Sequence, residues 1–258
     1  MFRFSGPEAQ KLLFDVVTGR LVEEEGRAVW WALLSPQGKI QAEGLSTFAD
    51  GAFWLDVHAD AADEFHRRMR LYKLRAKVEI EDLRNSHVVG WSEGGEGIAD
   101  PRGIGARVIA DRGVGWQEDE TPFHAARIAA GVAEMGPDFA RDTTFPHDIG
   151  MDLLGGVDFK KGCYIGQEVV SRMQHRGTAR RRPVIVSGLP DGAAAGTPVM
   201  AGEREAGTIG QVVDSKAVAI VRLDRIADPT AATVGGISVK LTLPSWGSYE
   251  FGESEPAE

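Results

Sequence analysis

The chain has 258 residues with 43% hydrophobic and 26% charged side chains, an ordinary globular balance that excludes a disordered or minimal stapled protein. Its 29 basic and 38 acidic side chains leave a formal charge of -9, which argues against general coating of nucleic acid. The single cysteine, Cys163, forms no internal disulfide and falls short of the four thiolates an iron–sulfur cluster takes.

Within residues 1–19, Arg3, Glu8, Lys11 and Asp15 interrupt the apolar positions. No basic flank runs into a continuous apolar stretch, so a soluble protein of the cytoplasm is expected. No apolar run approaches the ~20 residues of a membrane span. Phe2 and Phe4 alternate with polar neighbours as on a strand, and Ser5 with Glu8 predicts a capping box before a helix buried through Ala9, Leu12, Leu13, Val16 and Val17. The apolar run 28–34, the turn Ser35-Pro36-Gln37-Gly38 and a strand from Lys39 predict a hairpin. A strand over 53–57, a helix over about 59–74 with Ala62, Phe65, Met69 and Tyr72 on one face, and a strand at 78–81 follow. The order points to an α+β body.

Residues 93–97 and 100–103 read as loop, 104–110 as strand, and 123–135 as a helix ended by Gly136-Pro137. Beyond Pro183 the runs 184–189, 197–200, 207–213, 217–223 and 237–243 are β-prone and separated by Gly, Pro and Asp, which predicts a small β-barrel. The expected domains are therefore a body over 1–183 and a barrel over 184–251. An acidic tail over 252–258 is expected to be disordered.

The charge inverts between Asp158 and Pro183, where seven basic side chains face two acidic ones. A basic patch in an acidic body suits a specific anionic ligand, although a solvated basic face has the same composition. Inside it runs Lys161-Gly162-Cys163-Tyr164-Ile165-Gly166-Gln167-Glu168. Two glycines bracket the cysteine, and the neighbouring lysines are cations of the kind that favour a thiolate. A lone cysteine is otherwise a small core residue, and the residues alone leave both readings open.

This run resembles the signature of the YgfZ-type folate-binding proteins, relatives of the glycine-cleavage aminomethyltransferase. Phe4-Ser5-Gly6-Pro7-Glu8-Ala9, Arg127-Ile128-Ala129-Ala130-Gly131 and Gly177-Thr178-Ala179-Arg180-Arg181 are similar to further segments of that family. The resemblance implies an aminomethyltransferase-like α+β fold of interleaved subdomains with a C-terminal β-barrel, tetrahydrofolate or a derivative as cofactor, and a role in iron–sulfur cluster assembly or repair with client or assembly proteins as partners. It implies Cys163 and Lys161 as the chemical residues. Arg127, Tyr164, Gly166, Gln167, Glu168, Arg172 and Arg176 are implied around the folate. The chain departs from the family at Thr18-Gly19-Arg20, where Thr-Asn-Asp is usual, and at Pro146-His147-Asp148.

A folate-dependent aminomethyl or one-carbon transferase or demethylase is the alternative, and RNA binding through Arg172, Arg176 and 180–182 a third reading. The six histidines show no zinc-ligand spacing, so no metal site is expected. Gly103-Ile104-Gly105 lacks the third glycine of a dinucleotide fingerprint, and Asp138 with Asp142 reads as surface or loop.

Overall fold

The computed structural model describes residues 1–177 and 179–252, and these divide into two compact units between which the chain passes three times. Unit 1 comprises residues 1–119 and 154–169, and unit 2 comprises 120–153 and 170 onwards. The boundary expected near residue 184 falls inside a strand, and the acidic tail from residue 253 lies outside the described residues.

In unit 1, β1 (Phe2–Ser5), β2 (Ala28–Leu34), β3 (Ile40–Ala49), β4 (Ala52–Leu55) and β5 (Glu79–Asp82) form an antiparallel sheet in the order β2-β3-β4-β1-β5. Helices α1 (Ala9–Val16) and α2 (Ala59–Lys73) belong to the same unit. The alternation read in β1 is met: Phe2 and Phe4 are fully buried, and Phe65 of α2 stacks within 5.4 Å of Phe2 and 5.1 Å of Trp31. Strand β2 is buried on both faces, so adjacent Trp30 and Trp31 point to opposite sides and both disappear from solvent. The capping box does not form. The Glu8 carboxylate accepts instead from the Lys77 amide at 2.7 Å, tying the α1 start to the chain entering β5, and Ser5 closes β1.

A second sheet of unit 1, order β6-β8-β7, joins β6 (His87–Ser92), β7 (Ile98–Ala99) and β8 (Ala106–Asp111). Only β8 is anticipated by the sequence, because β6 is half-buried throughout and carries no alternating pattern.

Unit 2 holds α3 (Thr121–Ala129), a 3₁₀ turn (Pro146–Ile149) and most of α4 (Gln167–Arg176). It also holds β9 (Arg181–Ser187), β10 (Pro198–Ala201), β11 (Arg204–Ile209), β12 (Lys216–Arg222), β13 (Ala232–Val234), β14 (Ile237–Ser238) and β15 (Lys240–Thr242). These strands make a nearly closed barrel in the order β14-β13-β10-β11-β12-β9-β15, filled by Val184, Val186, Val199, Ala219, Val221 and Val234. Helix α3 stops six residues before the expected end. The Gly131 amide donates to the Ile128 carbonyl (3.0 Å) and the Val132 amide to the Arg127 carbonyl (2.8 Å), a Schellman-type close. Val132, Ala133 and Met135 are nevertheless buried, which is why their apolar spacing imitates another helical turn.

Candidate functional site

The signature segment leaves the core of unit 1 at Asp158, whose Oδ1 accepts from the amides of Lys160 (2.8 Å) and Lys161 (3.2 Å) and so turns the chain. Buried Thr18, just past α1, holds both flanks. Its Oγ1 donates to the Gly156 carbonyl (2.7 Å) and accepts from the Ala32 amide of β2 (2.9 Å), and its carbonyl accepts from the Asp158 amide (3.0 Å).

Lys161 is buried, and its Nζ donates to the carbonyls of Phe14 (2.7 Å), Val17 and Gly19 (3.3 Å). These carbonyls close the C-terminal end of α1, where a helix leaves acceptors unpaired and favours a cation. The rings of Phe14 and Tyr164 lie 4.9 Å and 4.8 Å from the same ammonium, completing a cage of oxygens and π faces. Burial lowers the Lys161 pKa to about 8, with the Asp158 and Asp15 charges opposing. Lys161, expected as a chemical residue, thus has its donors committed to backbone and acts in this geometry as a clasp. At Gly19, one of the departures from the family, a Cβ would stand 2.5 Å from the Trp30 carbonyl, so a larger residue would need this backbone to shift. Arg20 lies 3.9 Å from Asp158.

Cys163 is exposed, two residues beyond the clasp. Tyr164 is buried, its hydroxyl has no hydrogen-bond partner among the described residues, and burial pushes the hydroxyl above the usual phenol range. Gly166 sits at φ +78°, and a Cβ would approach the Ser35 carbonyl to 2.6 Å; only glycine lets the chain lie against the β2–β3 turn before α4 begins. Gln167 is half-buried, and Glu168, Arg172 and Arg176 are exposed on α4.

Arg127 belongs to unit 2 and is fully buried. Its guanidinium pairs with the Asp138 carboxylate and donates to Gln211 Oε1 (3.1 Å) and His124 Nδ1 (2.9 Å), with Glu134 at 3.3 Å. Asp138 also accepts from the amides of Glu134 (2.8 Å) and Gln211 (3.1 Å), so of the surface-or-loop reading the loop position holds and the surface is corrected to a buried side chain. His147 is buried too, with Nε2 3.1 Å from Gln174 Oε1.

The sequence reading missed a buried polar set in unit 1. Glu43 of β3 accepts from Trp30 Nε1 at 2.7 Å, Arg102 stacks 5.4 Å from the Trp30 ring, and Arg102 pairs with Asp100 at 2.7 Å. Burial alone would raise the Asp100 carboxyl, but the charge and hydrogen bonds of Arg102 hold it below the usual range. Its signal was present: Gln41 and Glu43 interrupt an apolar strand at alternate positions, and buried charges demand partners. Nearby, a cleft of about 450 Å³ opens between the two sheets, lined by Thr47, Asp50, Trp54, His87, Arg107 and Asp111 among others. None of the site residues expected from the sequence lines it. No group of three His, Cys, Asp or Glu able to hold a metal occurs among the described residues, and none of their helices is long and apolar enough to cross a membrane.

Residues 180–249 match the CAF17 C-terminal beta-barrel domain. Over 204 residues the chain is 31% identical to a protein of Pyricularia oryzae named as a mitochondrial iron-sulfur cluster assembly factor IBA57 homolog, covering 69% of this chain and 52% of that one. A Mycosarcoma maydis protein of the same name is 30% identical over 216 residues, covering 71% and 54%. The solved glycine cleavage system aminomethyltransferase T of Bartonella henselae superposes with a TM-score of 0.71 at 14% identity, over 97% of this chain and 84% of that one, a likeness of fold. The chain belongs to the YgfZ/GcvT-type family. It spans about half the length of the curated relatives it matches. The YgfZ/GcvT-type assignment accounts for the interleaved α+β body and the terminal barrel. The cytoplasmic location expected from residues 1–19 is overturned by these relatives, which are named as mitochondrial.

Proposed function

We propose that this protein acts in iron–sulfur cluster assembly, with Cys163 as the thiol that contacts iron in transit. The observation that carries the reading is the exposure of the chain's single cysteine on a loop clamped by Lys161 and Gly166. The names of the relatives from Pyricularia oryzae and Mycosarcoma maydis support it. In the proposed step the thiol releases its proton to solvent, the thiolate takes one coordination position on iron, and a ligand of the acceptor later replaces it. No electrons change hands. One thiolate leaves the other iron positions to an assembly partner, a client protein or small thiols.

The cofactor we assign is tetrahydrofolate or a derivative. Arg127 does not fit the role expected for it, because its guanidinium is spent on Asp138, Gln211 and His124. The unit 1 cleft fits better: its volume lies within the ~300–1,000 Å³ typical of ligand sites, Trp54 offers a face for a flat ring, and Asp50 and Asp111 offer acceptors for ring N–H groups. Calorimetric titration with tetrahydrofolate should show an affinity about tenfold weaker for Trp54→Ala, the loss of one aromatic contact. Unchanged affinity would remove the cleft from the proposal. For the thiol, cells lacking the protein should recover iron–sulfur enzyme activity with the wild-type chain and fail with Cys163→Ala at equal abundance.

A further inference from the structure

Unit 1 carries a surface that neither the thiol nor the cleft uses. The segment from His66 to Val78 contains six basic side chains and no acidic one, within a chain of net charge -9. Helix α2 turns Ala61, Ala62, Phe65 and Met69 inward, and a second row, Arg67, Arg70, Leu71 and Leu74, runs at helical spacing on the solvent side. Leu71 and Leu74 are 58% and 85% exposed. Leu74 moreover ends the helix at φ +45°, a conformation that glycine normally supplies and a branched side chain adopts at a cost. Arg67 and Arg68 are paired with Glu64, whereas no ion pair joins Arg70, Lys73, Arg75 or Lys77 to a carboxylate among the described residues.

We infer that the C-terminal end of α2 is a docking surface for an acidic protein segment bearing apolar side chains. Charge complementarity selects the partner. Four cations unpaired among the described residues, beside two protruding leucines in the sequence, match carboxylates flanking an apolar anchor. An extended polyanion such as RNA or an anionic membrane would meet the acidic remainder of the chain as well. This inference is independent of folate and of Cys163.

The test measures binding of a labelled synthetic helical peptide with glutamates beside leucines at i, i+4, by fluorescence anisotropy on the full chain. Arg70→Glu/Arg75→Glu should weaken it roughly tenfold at low salt, with the difference shrinking as salt rises. Leu71→Ser/Leu74→Ser should weaken it about tenfold. Leu74→Gly, which relieves the backbone, should fold at least as well by thermal melting and still bind more weakly. Peptide affinity indifferent to all three variants would overturn the inference. So would variant-sensitive binding to phosphatidylserine vesicles or to polyuridylate in place of the peptide, or a variant-sensitive dimer in sedimentation.

Discussion

Replacing Lys161 with Met keeps an unbranched apolar stem but removes the ammonium from its cage. Three hydrogen bonds from a charged donor, to the carbonyls of Phe14, Val17 and Gly19, contribute about 1.5–3 kcal/mol each. Against them stands the cost of burial that lowers the Lys161 pKa from 10.5 to about 8, roughly 3 kcal/mol. The difference predicts that Lys161→Met destabilises the chain by about 1.5–6 kcal/mol in urea or thermal unfolding at pH 7. The same cage fixes a pH signature. The folded-state pKa is depressed, so between about 8 and 10.5 the unfolded chain holds a proton that the folded chain has released, and stability rises with pH across that window. Wild type should gain on Lys161→Met as the pH moves from 7 to 9.5, before tyrosines and other lysines intrude. A variant as stable as wild type at pH 7, or a stability difference flat from pH 7 to 9.5, would refute the clasp.

Gly166→Ala places a Cβ 2.6 Å from the Ser35 carbonyl at φ +78° and should lower the melting temperature by several degrees, corresponding to ~1–3 kcal/mol. Arg127→Met should cost about 3–5 kcal/mol by leaving Asp138 buried without its cation, and adding Asp138→Leu should recover part of that loss in a double-mutant cycle. Burial lowers the pKa of both His124 and His147, so the unfolded chain binds protons first as the pH falls below about 6.5, and stability should drop there. His147→Gln should flatten part of that drop in melts between pH 7 and 5.

Much of the body is legible because local signals and burial agree. The turn Ser35-Pro36-Gln37-Gly38 joins β2 and β3, and the stripe Ala62, Phe65, Met69 is the buried face of α2. Strands β6 and β7 escape notice because no face of them is fully covered. At the site, residue identity was readable and residue duty was not. Lys161 finds its carbonyl partners more than 140 residues upstream, and nothing in the run Lys161 to Glu168 announces them. Arg127 looks like a ligand-binding arginine on a helix, yet its partners Asp138 and Gln211 lie in a turn and near a barrel strand. Exposure of Cys163 was equally undecided, since the glycines beside it suit a core turn as well as an open loop.

The central claim is that the exposed thiol handles iron, and transfer to an acceptor measures it most directly. The purified chain, iron, sulfide and a small thiol are mixed with a cluster-free acceptor enzyme and the assembly partner, and the rate at which acceptor activity returns is followed. Wild type should accelerate recovery and Cys163→Ala, folded to the same melting temperature, should not; equal acceleration by both proteins would contradict the account.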